Sequence, residues 1–226
     1  RKIFETGCEI VVKVDADGQM KPEALADLVR PLLANEADVS KGNRWGDRKA
    51  LLQMPLIRRI GNLGLSFLTR AASGQWEVFD PNNGYIAWRT EWLRHVDWDR
   101  VPDGFTFEAG MLVQSGITRA LVRDVALPAV YENRESHLRL HRAFFSFSLY
   151  LFRSALGRIW QQYFVTDFNA VSLLLLCGIL LCGFGAVFGG YHWWQSSMLG
   201  VPATAGTVII AALPILMGFN CLLQAL

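Results

Sequence analysis

Hydrophobic positions follow two regimes along the chain. Up to about residue 127, short apolar runs alternate with polar turns; after Asp167 there is no charged residue, and the chain is apolar almost throughout. In the first regime, Glu9–Val14 is a β-branched run that stops at Asp15-Ala16-Asp17-Gly18, which predicts a buried strand delivering two carboxylates to a loop. Side chains at i and i+2 leave a strand on one face, so both acids can reach one ion. Before it, Arg1–Gly7 reads as the end of a helix or a loop stopped by Gly7. After it, Lys21-Pro22-Glu23 has proline in a first helical turn, and Leu25, Leu28, Val29, Leu32 and Leu33 recur at helical spacing. Ala37–Lys41 then leads to Gly42-Asn43-Arg44 as a second strand that brings Arg44 near the carboxylates. Strand, helix and strand in that order predict a right-handed crossover and a parallel pair.

Asp47–Ser73 mixes Leu51, Leu56, Ile57, Ile60, Leu63 and Phe67 with Arg48, Lys49, Arg58, Arg59 and Arg70. Two readings fit: an amphipathic helix at a membrane surface with snorkelling arginines, or a core-facing helix with a solvated basic side. Asp80-Pro81-Asn82-Asn83-Gly84 marks a turn, and Tyr85–Trp88 a strand. Asp80 sits at the mouth of that turn, where capping is its ordinary role. Glu108 opens a helix through Met111, Leu112 and Val113, where it complements the helix dipole. Thr118–Arg123 and Val125–Leu127 suggest a last strand or hairpin, and Tyr131–Leu138 a polar loop.

In the second regime, Phe168–Phe188 and Ala203–Leu226 are each long enough to cross a bilayer as a helix, which takes about 20 residues. A buried helical hairpin is the alternative, and the position of the runs does not suit a secretory signal peptide. Arg139, Arg142, Arg153 and Arg158 punctuate the aromatic stretch His141–Phe168, whereas the expected loop between the spans has no Lys or Arg and carries Tyr191, Trp193 and Trp194. Basic residues on the domain side place that domain in the cytoplasm, with the chain integral to the membrane. The apolar tail favours the membrane-surface reading of Asp47–Ser73. The expected division is residues 1–136 as part of an α/β domain, 137–167 as amphipathic juxtamembrane helices and 168–226 as two transmembrane helices.

With 226 residues the chain has room for one sizeable domain and an appendage, and a net charge of only +2 gives no reason to expect a nucleic-acid partner. The four cysteines lack metal-ligand spacing and read as small hydrophobes. The chain opens Arg1-Lys2 without methionine and stops within an apolar run, as expected of a piece of a longer protein.

Val14-Asp15-Ala16-Asp17-Gly18-Gln19, Lys41-Gly42-Asn43-Arg44, Met54-Pro55 with Arg58-Arg59-Ile60-Gly61-Asn62, Asp80-Pro81-Asn82-Asn83-Gly84-Tyr85 and Arg134-Glu135-Ser136 occur in that order. Together they resemble family 2 glycosyltransferases, in particular the dolichol-phosphate mannosyltransferase-like group that uses polyprenyl phosphates. The resemblance implies a GT-A fold, here partial and Rossmann-like. It implies inverting transfer of a sugar from a GDP- or UDP-linked donor to a polyprenyl (dolichyl or undecaprenyl) phosphate, aided by Mg²⁺ or Mn²⁺ at a bacterial inner membrane. Asp15, Asp17 and Gln19 would hold the metal. Asp15, Asp17, Arg134 and Ser136 would bind the donor diphosphate, and Arg44, Arg58 and Arg59 the acceptor phosphate. Asp80 and Glu108 would orient donor sugar or acceptor as the catalytic acids. Spans of this kind can also pair two copies of the chain. The family's first nucleotide-binding βαβ unit, with its Pro-Ala-x-Asn-Glu-like motif, is absent from these residues, so activity is expected of the parent protein and not of this piece.

The residue chemistry agrees. A departing nucleoside diphosphate develops charge that a dication held by carboxylates offsets, and a lipid phosphate, already ionised, needs arginine to position it more than it needs a base. Among the rivals, a phosphatase of the haloacid-dehalogenase type would have Thr or Val where Gln19 stands. A calcium loop would have Glu where Ala26 stands. A membrane-anchored scaffold that keeps the fold without turnover is the non-enzyme alternative.

Overall fold

Strand β3 decides the architecture, because both of its faces are apolar and both are covered. The computed structural model describes residues 2–15, 20–44, 56–127 and 140–225, and the chain divides into two compact units, Arg1–Ile159 and Trp160–Leu226. In the first unit, helix α1 (Lys2–Glu5) turns at Gly7, in the left-handed region at φ 67°, into β1 (Ile10–Lys13). A 3-10 turn with Pro22 at its start runs into α2 (Leu25–Leu33), followed by β2 (Val39–Asn43) and α3 (Leu56–Ser73). Then come β3 (Ile86–Arg89), the short α4 (Thr90–Leu93), α5 (Phe107–Ile117), β4 (Val122–Ala126) and α6 (Leu140–Trp160).

The strands form one mixed sheet in the order β1-β3-β2-β4. β3 is antiparallel to β1 and to β2, and β2 is parallel to β4. The expected parallel pairing of β1 with β2 is therefore corrected: the two run the same way, but β3 lies between them. The α2 crossover sets their common direction, and the gap it leaves is filled by β3, whose Ile86, Ala87 and Trp88 are buried on both faces of the sheet. The expected last strand or hairpin is a single strand, and it supplies β2 with a parallel neighbour.

Alternate residues of β3 feed two cores. Ile86 and Trp88 join Val39, Met111, Leu112 and Val122 under α5, and Tyr85 and Ala87 join Leu28, Leu32 and Leu127 under α2. Register gives the α5 face a row of Val11, Trp88, Val39 and Val122, and two residues on, towards the carboxyl ends of β1, β2 and β4, a row of Lys13, Ile86, Lys41 and Asp124. The core thus turns from apolar to charged in one step.

A third cluster, Ala72, Ala109, Val113, Phe147 and Leu151, joins α3, α5 and α6. Arg158 of α6 is buried and caps α3, its Nε donating to the Ala72 carbonyl at 2.8 Å and its Nη2 to that of Ala71 at 3.3 Å. The polarity of α3 is inverted relative to an ordinary core helix: Ser66, Thr69, Ala72 and Ser73 are buried, while Ile60, Leu63 and Phe67 are exposed. α6 likewise exposes Phe145, Leu149, Phe152 and Leu156 along one stripe. The close contact of α5 with the end of α3 requires Gly116, where a Cβ would lie 1.8 Å from the Ser73 carbonyl oxygen. Backbone cannot give way as a side-chain tip can, so Gly116→Ala is expected to cost about 2–3 kcal/mol of stability, read as a lowered urea midpoint.

In the second unit, a π-helical stretch (Gln161–Thr166) precedes α7 (Ala170–Leu199), whose first turn is closed by a reciprocal Asn169–Ser172 capping box. α7 stops at Gly200, φ 64°, and α8 (Ala205–Ala225) packs back on it. Both helices are long and apolar enough to cross a membrane. Tyr191, Trp193 and Trp194 lie on the last turns of α7 and not in a loop, since no proline or charge breaks the helix before Gly200 and the connection is only residues 200–204. An α/β domain followed by two long apolar helices is the architecture expected from the hydrophobic pattern.

Candidate active site

The charged row opens into a cavity of about 420 Å³. β1 brings Lys13 and Asp15 to it, the end of β2 brings Arg44, and the turn before β3 brings Asn82 and Gly84. Asn62 on α3 completes the polar side, and Leu65, Phe105, Ala109 and Phe147 form an apolar wall opposite. The cavity is therefore two-faced, with ionic groups at the sheet and aromatic and aliphatic groups from the helices.

Each cation in it has a carboxylate partner. Lys13 Nζ bonds an Asp15 carboxylate oxygen and lies 2.7 Å from Glu108 Oε1 at the start of α5. Burial pulls against the Lys13 ammonium, but the hydrogen bonds to Asp15 and Glu108 prevail and raise its pKa above the ordinary lysine value. Arg44 is bidentate on Asp80: Nε to Oδ2 at 2.7 Å and Nη2 to Oδ1 at 3.1 Å, with the Arg44 backbone N–H also donating to Oδ2 at 3.2 Å. Asp80 is 1% exposed, so it anchors the arginine from beneath the pocket wall.

The turn that carries Asn82 and Gly84 is tied to β2. Asn83 Nδ2 donates to the Gly42 carbonyl at 2.7 Å, the Gly42 N–H to the Tyr85 carbonyl at 2.9 Å, and Lys41 Nζ to the Asn83 carbonyl. Lys41 is fully buried, and burial lowers its pKa to about 8, against the opposing pull of Asp80 and Glu108. Next to it in register, Asp124 accepts from Asn43 Nδ2 at 2.6 Å, and burial raises its pKa to about 6.

Of the residues singled out from sequence, Asp15 and Arg44 line one cavity, Glu108 lines it beside Lys13, and Asp80 lies behind Arg44. Among the described residues, Arg59 on α3 does not line it. Asp17, Gln19, Arg134, Ser136 and the side chain of Arg58 lie outside the described residues. Lys13, Lys41, Asn62, Asn82 and Gly84 were not anticipated. Lys13 left a signal, as the one charge inside a β-branched strand, and Lys41 another, as a lysine inside a central strand.

Gly84 bears on whether a dication fits. A Cβ there would lie 2.0 Å from Asp15 Oδ2, so only bare backbone lets that carboxylate lie against the turn. The oxygen donors of Asp15, Asp17 and Gln19 suit a hard ion such as Mg²⁺ or Mn²⁺. Among the described residues no group of three or more His, Cys, Asp or Glu gathers; Asp15 is the member of that trio on which the fit is judged.

Comparison with known proteins gives consistent findings. Residues 3–97 match the model of the family described as glycosyl transferase family 2. The chain is 35% identical over 94 residues to the UDP-N-acetylglucosamine–dolichyl-phosphate N-acetylglucosaminyltransferase of Methanococcus voltae, covering 42% of this chain and 37% of that protein. It is 29% identical over 133 residues to the undecaprenyl-phosphate mannosyltransferase of Micrococcus luteus, covering 58% of this chain and 53% of that protein. It is also 29% identical over 123 residues to an uncharacterized protein of Methanocaldococcus jannaschii, covering 54% and 50%. The chain thus spans about half, or less, of the length of the curated relatives it matches.

Proposed function

We propose, from the match of residues 3–97 to the model of glycosyl transferase family 2 and the likeness to two polyprenyl-phosphate sugar transferases, that the full-length protein moves a sugar from a nucleotide sugar to a polyprenyl phosphate. The observation that carries the reading is the two-faced cavity, with Asp15 and Arg44 on one side and Phe105, Phe147 and Leu65 on the other. A lipid phosphate has the same division, an anionic head on an apolar chain.

In this reading Arg44 positions the acceptor phosphate. Asp80 holds its guanidinium in a fixed plane, so little side-chain freedom is lost when an anion docks against it. Leu65, Phe105 and Phe147 take the first isoprene units out of water. Asp15, with Asp17 and Gln19, holds Mg²⁺ or Mn²⁺, which when bound offsets the charge developing on the departing diphosphate. Arg134 and Ser136 bind the donor diphosphate, Arg58 assists at the acceptor, and Glu108 orients a substrate hydroxyl. A phosphate oxygen of the acceptor attacks the sugar's anomeric carbon as the bond from that carbon to the nucleoside diphosphate breaks, and this single displacement inverts the anomeric centre. The exposed apolar stripes of α3 and α6 support a lipid-surface location for the first unit. The basic residues preceding α7 support a cytoplasmic face, at the inner membrane if the source is bacterial.

The test is an assay of the full-length protein in membranes with GDP- and UDP-linked hexoses and undecaprenyl phosphate. A lipid-linked sugar is expected with at least one donor, falling to background in EDTA and returning with Mg²⁺ or Mn²⁺. Product that persists in EDTA overturns the metal role. No product with any donor favours the scaffold reading.

A further inference from the structure

Lys13 is the last residue of β1, and Asp15 follows two residues on, lining the same cavity. Their charges meet, and Lys13 also reaches Glu108 across the mouth of α5. The Lys13 and Asp15 side chains are 30% and 42% exposed, while that of Glu108 is only 15% exposed. One ammonium thus bridges two carboxylates, one wet and one nearly buried.

We propose that Lys13 is the built-in occupant of the cation seat at Asp15: a divalent cation must displace its ammonium from Asp15, and Glu108 retains it in the pocket. The inference rests on the metal role proposed above for Asp15. Three physical points carry it. A carboxylate oxygen engaged by an ammonium has less negative charge to offer a dication, so the two compete. Leaving Glu108 without a partner at 15% exposure is unfavourable, so the lysine on its flexible four-carbon stem swings towards Glu108 and does not leave. With Lys13 retained, its ammonium cancels one of the negative charges that a dication at Asp15 would otherwise meet. That loss weakens binding of bare metal and suits metal arriving with a diphosphate.

The experiment is a Mn²⁺ titration of the detergent-solubilised chain, read by the loss of the free-ion paramagnetic resonance signal. Lys13→Met is expected to bind Mn²⁺ about tenfold more tightly than the unmodified chain. Lys13→Arg, which keeps the charge, should bind as the unmodified chain does. Lys13→Gln, polar and of similar reach, should reproduce the gain where the methionine variant does not fold. In the unmodified chain, Mn²⁺ should speed acylation of Lys13, measured by peptide mass spectrometry, because one of its two carboxylate partners is withdrawn. Equal Mn²⁺ affinity in all variants, or labelling of Lys13 that ignores Mn²⁺, overturns the inference and leaves the metal seat standing. If Mn²⁺ binds to none of them, the seat itself fails and the inference with it.

Discussion

Arg44→Met is expected to destabilise the first unit by about 3–5 kcal/mol, more than Asp80→Asn, which should cost about 1–2 kcal/mol. The asymmetry follows from burial. Asp80 is 1% exposed, so removing the guanidinium strands a carboxylate where water cannot reach it. The Arg44 side chain is 35% exposed, so when Asp80 loses its charge the guanidinium can turn to solvent and keep a hydrogen bond to the amide oxygen. Lys41 softens the first loss, since its buried ammonium stays within electrostatic reach of the Asp80 carboxylate. The measurement is the shift in urea midpoint followed by tryptophan fluorescence, with Trp88 and Trp92 reporting from the core beneath the site. Equal losses in the two variants, or a larger one for Asp80→Asn, would mean that the pair is not held from the aspartate side.

That pair also marks where sequence reasoning reached and where it stopped. A β-branched run ending in two acids, and a short run ending in Gly-Asn-Arg, were enough to place Asp15 and Arg44 just past the ends of two strands that run the same way, because strand periodicity and breakers are local signals. They could not place β3 between those strands. Which strand fills the gap depends on burial of Ile86 and Trp88 on one face and Ala87 on the other, a choice made by the whole sheet. Asp80 read as a turn cap, and it does sit in a turn. Its role behind Arg44 comes from a contact across 36 residues, which no spacing rule encodes. Lys13 and Lys41 were passed over for the opposite reason: lysine is ordinarily solvated, and only the register that sets them in one row with Asp124 makes them part of the site. The aromatic anchors Tyr191, Trp193 and Trp194 were assigned to a loop on composition, although nothing before Gly200 could end the helix.

Gly84→Ala should silence the site without unfolding the domain. The added Cβ would lie 2.0 Å from Asp15 Oδ2, 2.8 Å from its Cγ and 3.1 Å from Met20 Cε, all atoms at or near the ends of side chains. The Asp15 side chain is 42% exposed and free to rotate outward, so the clash is relieved by moving the carboxylate and not the backbone. Stability should stay within about 1 kcal/mol of the parent. Function should not, because a ligand or reacting group misplaced by about 1 Å costs on the order of 10²-fold in rate. The full-length Gly84→Ala protein is therefore expected to transfer sugar about 10²-fold more slowly, with a near-parental melting temperature and weakened Mn²⁺ binding. Gly116→Ala offers the contrast, since there the obstacle is a carbonyl oxygen that cannot rotate away, and stability is lost directly. Transfer by Gly84→Ala within a few-fold of the parent would show that the Asp15 carboxylate need not stand where the bare glycine lets it, and would remove Asp15 from the proposed metal and diphosphate site.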